Sequence, residues 1–230
     1  RTKYARGWRL PFCANRKNAS TFSMERLSYL FIFFILLFSC EKGTGEFVFK
    51  GTVLDATFNQ GLQNATLSLY KVPIGTSDEL LVESVTLPAN GAYEFKVPRE
   101  KMERYILRVN KALYFPIEKE VYYSELSIKN PNEVNLSTKA MSWAKIHFKN
   151  NNPSAIDHFR YIKQEGLTAC LSCCPSTAQD FYGALDTTFY CLNNGNTNYS
   201  LFYWELNTPN NGLKTTYTTA FDTSLIEVIY

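Results

Sequence analysis

Histidine is scarce in this chain: among 230 residues there are two, His147 and His158. No Gly-x-Ser-x-Gly elbow, Walker loop or His-Glu-x-x-His motif occurs. The nucleophile-elbow hydrolases, P-loop nucleotide enzymes and zincins therefore lack their signatures here. Long apolar runs are missing too: Leu27–Phe38 has twelve residues, and a spanning helix needs about twenty. Six cysteines are too few for a disulfide-packed miniprotein, and an aromatic content of 15% is too high for a disordered chain. Net charge is only +3, and its distribution matters more than its size: +6 lies before Cys40 and −3 from Cys40 onward. A mildly acidic body argues against nucleic acid as a partner.

The clearest signal present is an address. Met24-Glu-Arg26 leads into the apolar run, which ends at Ser39-Cys40. Twelve residues suit the h-region of a secretory signal peptide, and the polar, glycine-rich Glu41–Glu46 continues no helix. Leu37-Phe38-Ser39-Cys40 resembles the bacterial lipobox, in which the cysteine is acylated and becomes the new N-terminus. With the short polar tether behind it, the junction is similar to those of Bacteroidetes-type lipoproteins. The resemblance implies a signal peptide at 24–39, lipidation at Cys40, a tether at 40–46 and an outer-membrane lipoprotein of the cell envelope, on its periplasmic or cell-surface face. Several acyl chains hold a protein to a membrane firmly where one holds it marginally. Residues 1–23 precede the first methionine and are expected to be non-native upstream sequence or an n-region extension.

From Phe47 onward apolar residues alternate with period two, the mark of strands. Ala65, Leu67 and Leu69 share one face, as do Tyr93, Phe95 and Val97, and again Tyr105, Leu107 and Val109. Asn-Gly, Val-Pro and Phe-Pro punctuation separates these short runs. The expected fold class is all-β, with two antiparallel β-sandwich domains.

Phe49-Lys-Gly51-Thr-Val53-Leu-Asp55, with Gln60-Gly61-Leu62 and Ala65–Tyr70 after it, resembles the opening of carboxypeptidase regulatory-like domains. Asn90-Gly91-Ala-Tyr93-Glu-Phe95 is similar to the family's second signature, and Tyr105-Ile-Leu107-Arg-Val109 to the strand that follows. The resemblance covers about 47–139 and implies a transthyretin-like sandwich without catalytic residues. Gly51 and Gly61 fit places where a side chain would crowd a neighbouring strand or turn. Asp55 is expected to cap backbone amides in the turn after its strand.

A second sandwich is expected at 140–230, with no sequence repeat linking it to the first. Ala144, Ile146 and Phe148 make the inward face of its opening strand, and Trp143, Lys145, His147 and Lys149 the outward one. Phe202, Trp204 and Leu206 are in phase and read as core.

Four cysteines fall in this half: Cys170, Cys173, Cys174 and Cys191. An exported protein folds where disulfides persist. Pairing adjacent Cys173 with Cys174 closes a small strained ring. Two connectivities stay open, Cys170–Cys173 with Cys174–Cys191, or Cys170–Cys174 with Cys173–Cys191. A zinc site is the weaker reading, because the single Cys-x2-Cys has no matched second pair. No metal and no cofactor is expected, and no catalytic residue. Asp186-Thr187-Thr188 is similar to the short O-glycosylation site of exported Bacteroidetes proteins.

Trp143 is the candidate binding residue, because its neighbours on that face are charged; as it lies next to the linker, cover by the first domain is the favoured reading of its exposure. The function expected is that of a non-catalytic envelope lipoprotein with a structural or interaction role. Its expected partners are the membrane, through the lipid anchor, and an envelope protein. A fimbria-like subunit or a surface glycan-binding lipoprotein are the alternatives.

Overall fold

The computed structural model describes residues 45–230, which form one compact unit. Cys40 and the segments before it lie outside the described residues.

Among the described residues the regular elements are strands, apart from two single 3-10 turns at Tyr123–Glu125 and Leu171–Cys173. β1 (Glu46–Asp55), β2 (Gln60–Gly61), β3 (Thr66–Val72), β4 (Leu80–Thr86), β5 (Ala92–Pro98), β6 (Arg104–Asn110), β7 (Ile117–Tyr122), β8 (Asn132–Glu133) and β9 (Leu136–Thr138) build a first sandwich. β10 (Met141–Lys149), β11 (His158–Glu165), β12 (Gln179–Tyr182), β13 (Asp186–Asn194), β14 (Thr197–Leu206), β15 (Asn211–Thr218) and β16 (Thr223–Ile229) build a second.

The first sandwich stacks the four-stranded sheet β4-β3-β6-β7 on a sheet centred on β1, which pairs with β5, β2, β8 and β9. The second stacks β12-β11-β14-β15 on β13-β10-β16. With the short β2 and β8 set aside, both halves have the same order. One sheet reads third, second, fifth, sixth strand, and the other reads fourth, first, seventh. The halves therefore repeat one topology that no sequence similarity betrays.

Most ladders are antiparallel, but the last strand of each half returns parallel to the first: β9 beside β1 and β16 beside β10. A parallel pair needs a long crossover, and here the rest of the sandwich supplies it.

Period-two burial carries the fold. Phe47, Phe49, Leu67, Leu69, Phe95, Tyr105, Leu107 and Val109 pack one core, and Ile146, Phe148, Phe159, Tyr161, Leu201, Ile226 and Val228 the other. Burying each such side chain stabilises by about 1.5–3 kcal/mol. Gly51 and Gly61 sit where the backbone leaves no room: a Cβ would run into Val134 O from one and into the Ala89–Gly91 turn from the other.

β14 corrects the sequence reading. Tyr199, Leu201 and Tyr203 face the core, so Phe202, Trp204 and Leu206 lie on the outer face and are only half-buried. Both faces of this strand are apolar, so alternation alone does not choose between them. The register against β11 does, setting Tyr203 opposite inward Tyr161 and Trp204 opposite outward Arg160.

The two sandwiches meet at a joint of two residues, Lys139 and Ala140, between β9 and β10. The joint is paired on both sides. Ala140 N donates to Thr57 Oγ1 (2.8 Å), Gly195 N to Ala140 O (2.8 Å) and Phe115 N to Lys139 O (3.1 Å). Just beyond, Met141 N donates to Leu113 O and Phe221 N to Met141 O, both at 2.7 Å. Phe221 of the second sandwich packs between Phe58 and Tyr114 of the first, with ring centroids 5.8 and 5.3 Å away.

Candidate functional site

The four cysteines of the second sandwich pair as Cys170–Cys173 and Cys174–Cys191. This is one of the two connectivities the sequence leaves open. Cys191 points into the core from β13, so its bond ties the β11–β12 loop, in one sheet, to the facing sheet. All four sulfurs are used. Among the described residues no group of three or more His, Cys, Asp or Glu side chains is arranged to hold a metal ion.

Beneath this loop lies Lys163, which the sequence reading passed over. It follows Phe159 and Tyr161 on the inward face of β11 and is 6% exposed. Its Nζ donates to Leu167 O (2.7 Å), Cys174 O (2.8 Å) and Cys173 O (3.0 Å). Three acceptors meet the three donors of an ammonium. Burial pushes its pKa down from the ordinary lysine value, because desolvation penalises the charged form. The side chain is a pin for the disulfide loop. Its signal was legible: a lysine in phase with two inward aromatics.

The histidines sit on the outer faces of different sheets. His147, on β10, lies between two carboxylates, with Nε2 2.9 Å from Asp186 Oδ1 and Nδ1 3.0 Å from Glu227 Oε1. These hydrogen bonds, Asp186 first and Glu227 second, raise its pKa above the ordinary histidine value. His158, on β11, contacts Asp180, which also accepts from Arg160 Nε at 2.8 Å. Arg160 and then His158 lower the Asp180 pKa. Each histidine is thus hydrogen-bonded to a carboxylate on a neighbouring strand.

Trp143 stands half-buried on the outer face of β10, between Leu192 of β13 and Thr223 of β16. It belongs to neither core cluster, and the joint is filled instead by Phe58, Tyr114 and Phe221. Thr187 and Thr188 lie on β13, beside the His147–Asp186 pair. Asp55 is 1% exposed. Its Oδ1 accepts from the Thr57 and Phe58 amides, as a capping residue does, and its Oδ2 from the Tyr114 hydroxyl.

A further apolar surface, missed because Phe202 and Trp204 read as core, covers the outer face of β12-β11-β14-β15. Ile162, Phe202 and Leu213 form one cross-strand row, and Asp180, Arg160, Trp204 and Asn211 the next. His158, Leu206 and Tyr182 complete it, with Tyr182 stacked on His158 at 4.3 Å and 68% exposed.

No protein-family model matches the sequence, and no curated protein matches it. Solved structures similar to it include a streptococcal ancillary pilin, at 13% identity and TM-score 0.34, covering 82% of this chain and 63% of that one. The Bacillus anthracis TIE protein is similar at 14% identity and TM-score 0.35, over 81% of this chain and 34% of that one. The shaft pilin SpaA of Lactobacillus rhamnosus GG is similar at 9% identity and TM-score 0.33, over 81% and 96%. At scores of this size the likeness bears on neither the topology nor the function derived from the residues.

Proposed function

We propose that the chain is a cell-envelope lipoprotein, held to the outer membrane through Cys40, in which two sandwiches joined end to end serve a non-catalytic structural or interaction role. The joint carries this reading. Lys139 O and both backbone groups of Ala140 are hydrogen-bonded, and the partly exposed Phe221 of one sandwich contacts Phe58 and Tyr114 of the other. A linker left free to swing would have its backbone in water. This one fixes two domains as a single body, as a spacer or a display arm requires. Disulfides in the second sandwich suit an oxidising compartment, and both histidines are hydrogen-bonded to carboxylates on separate sheets rather than turned toward a shared cleft.

Fractionation of cells expressing the full chain tests the reading. The wild-type protein is expected to sediment with membranes and partition into detergent, and Cys40→Ala to be released. A Cys40→Ala protein that still partitions with the membrane overturns the anchoring. Crosslinked pull-down from the native cells then identifies the envelope protein the arm presents to. An SDS-resistant ladder in place of one partner would make the chain a fimbria-like subunit.

A further inference from the structure

The repeated topology supplies an internal comparison. The outer face of β4-β3-β6-β7 in the first sandwich is laced with ion pairs: Arg108 meets Glu79 and Glu118, and Arg104 meets Glu103 and Glu120. That is a solvated surface, with its charges paired locally. The equivalent face of the second sandwich carries Ile162, Phe202, Trp204, Leu206 and Leu213 at the corresponding outward positions. Same fold and same sheet, but β14 carries Phe202, Trp204 and Leu206 where the equivalent β6 carries Arg104 and Arg108, and the one pair beside them is Arg160–Asp180.

From this contrast we infer that the outer face of β12-β11-β14-β15 binds a neutral carbohydrate, stacked on Trp204 and Phe202 and hydrogen-bonded at its margin by the Arg160–Asp180 pair and Tyr182.

Three observations select this ligand. The first is the mixture of groups. A pyranose ring has an apolar face of axial C–H bonds and an equatorial rim of hydroxyls, so it needs an aromatic surface with donors and acceptors beside it. Trp204 and Phe202, with centroids 4.6 Å apart, supply the surface. Arg160, directly across from Trp204, holds Asp180 through Nε (2.8 Å) and Nη2 (3.3 Å). The guanidinium and carboxylate are thereby fixed in place and present further N–H groups and lone pairs.

The second is charge. Arg160 and Asp180 cancel, and the other members of the platform named here are apolar, aromatic or amide, apart from His158, which shares Asp180. A phosphate, a polyanion or an acidic peptide would find no uncompensated cation.

The third is size. Strands spaced about 4.8 Å apart, with about 3.4 Å per residue along them, make the platform roughly 200–300 Å² in plan. A stable protein interface takes about 800 Å² from each partner. One or two sugar rings fit the smaller figure.

The inference does not depend on acylation of Cys40, and its test leaves the anchor aside. The folded chain, with its disulfides intact, is run by affinity electrophoresis through gels containing single neutral polysaccharides: a galactomannan, a xyloglucan, a mixed-linkage glucan, a xylan and an α-glucan. At least one is expected to retard the wild-type protein. Trp204→Ala should weaken that retardation on the order of tenfold or more, as loss of a central aromatic anchor does. Arg160→Gln should weaken it too, whereas Trp143→Ala, on the other sheet, should leave it unchanged. Thermal melts confirm that the variants fold, as outer-face positions should. Retardation that survives Trp204→Ala overturns the inference. So does the absence of retardation by every polysaccharide. If Trp204→Ala instead abolishes capture of an envelope protein, the platform is a protein-docking face.

Discussion

The Tyr114 hydroxyl donates to Asp55 Oδ2 at 2.6 Å, buried directly against the joint between the two sandwiches. Tyr114 presents its ring to Phe221 and its hydroxyl to the turn that follows β1, so one side chain serves both the turn and the joint. Tyr114→Phe keeps the ring and removes the hydroxyl. It should destabilise by about 1.5–3 kcal/mol, the usual worth of a hydrogen bond to a charged group, read as a lower urea midpoint. An unchanged midpoint would mean that the two backbone amides alone satisfy Asp55.

The two disulfides should differ in weight. Cys174–Cys191 closes a separation of 17 residues and reaches the core, and Cys170–Cys173 closes a separation of 3. Replacing Cys174 and Cys191 by serine should cost about 2–4 kcal/mol, and the Cys170/Cys173 pair about 1.5 kcal/mol less, from loop length alone. Non-reducing peptide mapping checks the connectivity. A Cys173–Cys191 peptide would contradict it.

Lys163→Met should destabilise by at least about 1–3 kcal/mol, because it strands carbonyls of Leu167, Cys173 and Cys174 that the ammonium now satisfies. The loss should be largest in the β11–β12 loop, where amide exchange should quicken first. Uniform acceleration across the second sandwich would show that the lysine supports more than its loop.

His147 predicts a pH dependence with a definite sign. Its folded pKa is raised above the ordinary value of 6.5. Its stabilising contribution is therefore whole below about pH 6.5 and lost as pH rises through the raised value. Asp186, held by His147, has a lowered pKa, so its share is present above the ordinary carboxylate range and lost as pH falls through the lowered value. The cluster is intact between those limits. The side chains are partly solvated, so the energy is small and the midpoint is the better readout. NMR titration of the imidazole should give a midpoint above the ordinary range, and the double substitution Asp186→Asn with Glu227→Gln should return it there.

Gly51→Ala should destabilise by about 1–3 kcal/mol, as overpacking does, since its new methyl meets the Val134 carbonyl across a backbone that has no slack. Gly75→Ala, where a Cβ meets nothing within 4 Å but φ is positive, is a useful contrast. Its cost comes from backbone conformation alone.

Much of the fold was legible because period-two burial is a local property. Leu67 and Leu69, Phe95, Tyr105 and Leu107, Ile146 and Phe148 all face inward as their alternation required. Legibility failed where both faces of a strand are apolar. Trp204 reads as core because Phe202 and Leu206 keep it company, yet the Tyr199, Leu201 and Tyr203 series is equally apolar and takes the inside. Only pairing with β11, which a single strand does not encode, breaks the tie. The joint escaped for a similar reason: Phe58, Tyr114 and Phe221 are far apart in sequence, and no local pattern brings them together. The cysteine pairing was narrowed by ring strain but decided by which sulfur lies across from β13.

The parallel return of each final strand has a mechanical consequence. In the second sandwich β10 and β16 run side by side and are paired from Trp143–Thr223 to Lys149–Ile229, at seven positions. Tension applied at the start of β10 and the end of β16 pulls these neighbours past each other. The rungs are then loaded together in shear rather than peeled one at a time. In the first sandwich the returning segment pairs with β1 at five positions, split into two stretches of two in β8 and three in β9. Stretched lengthwise, the assembly should yield at the first sandwich before the second.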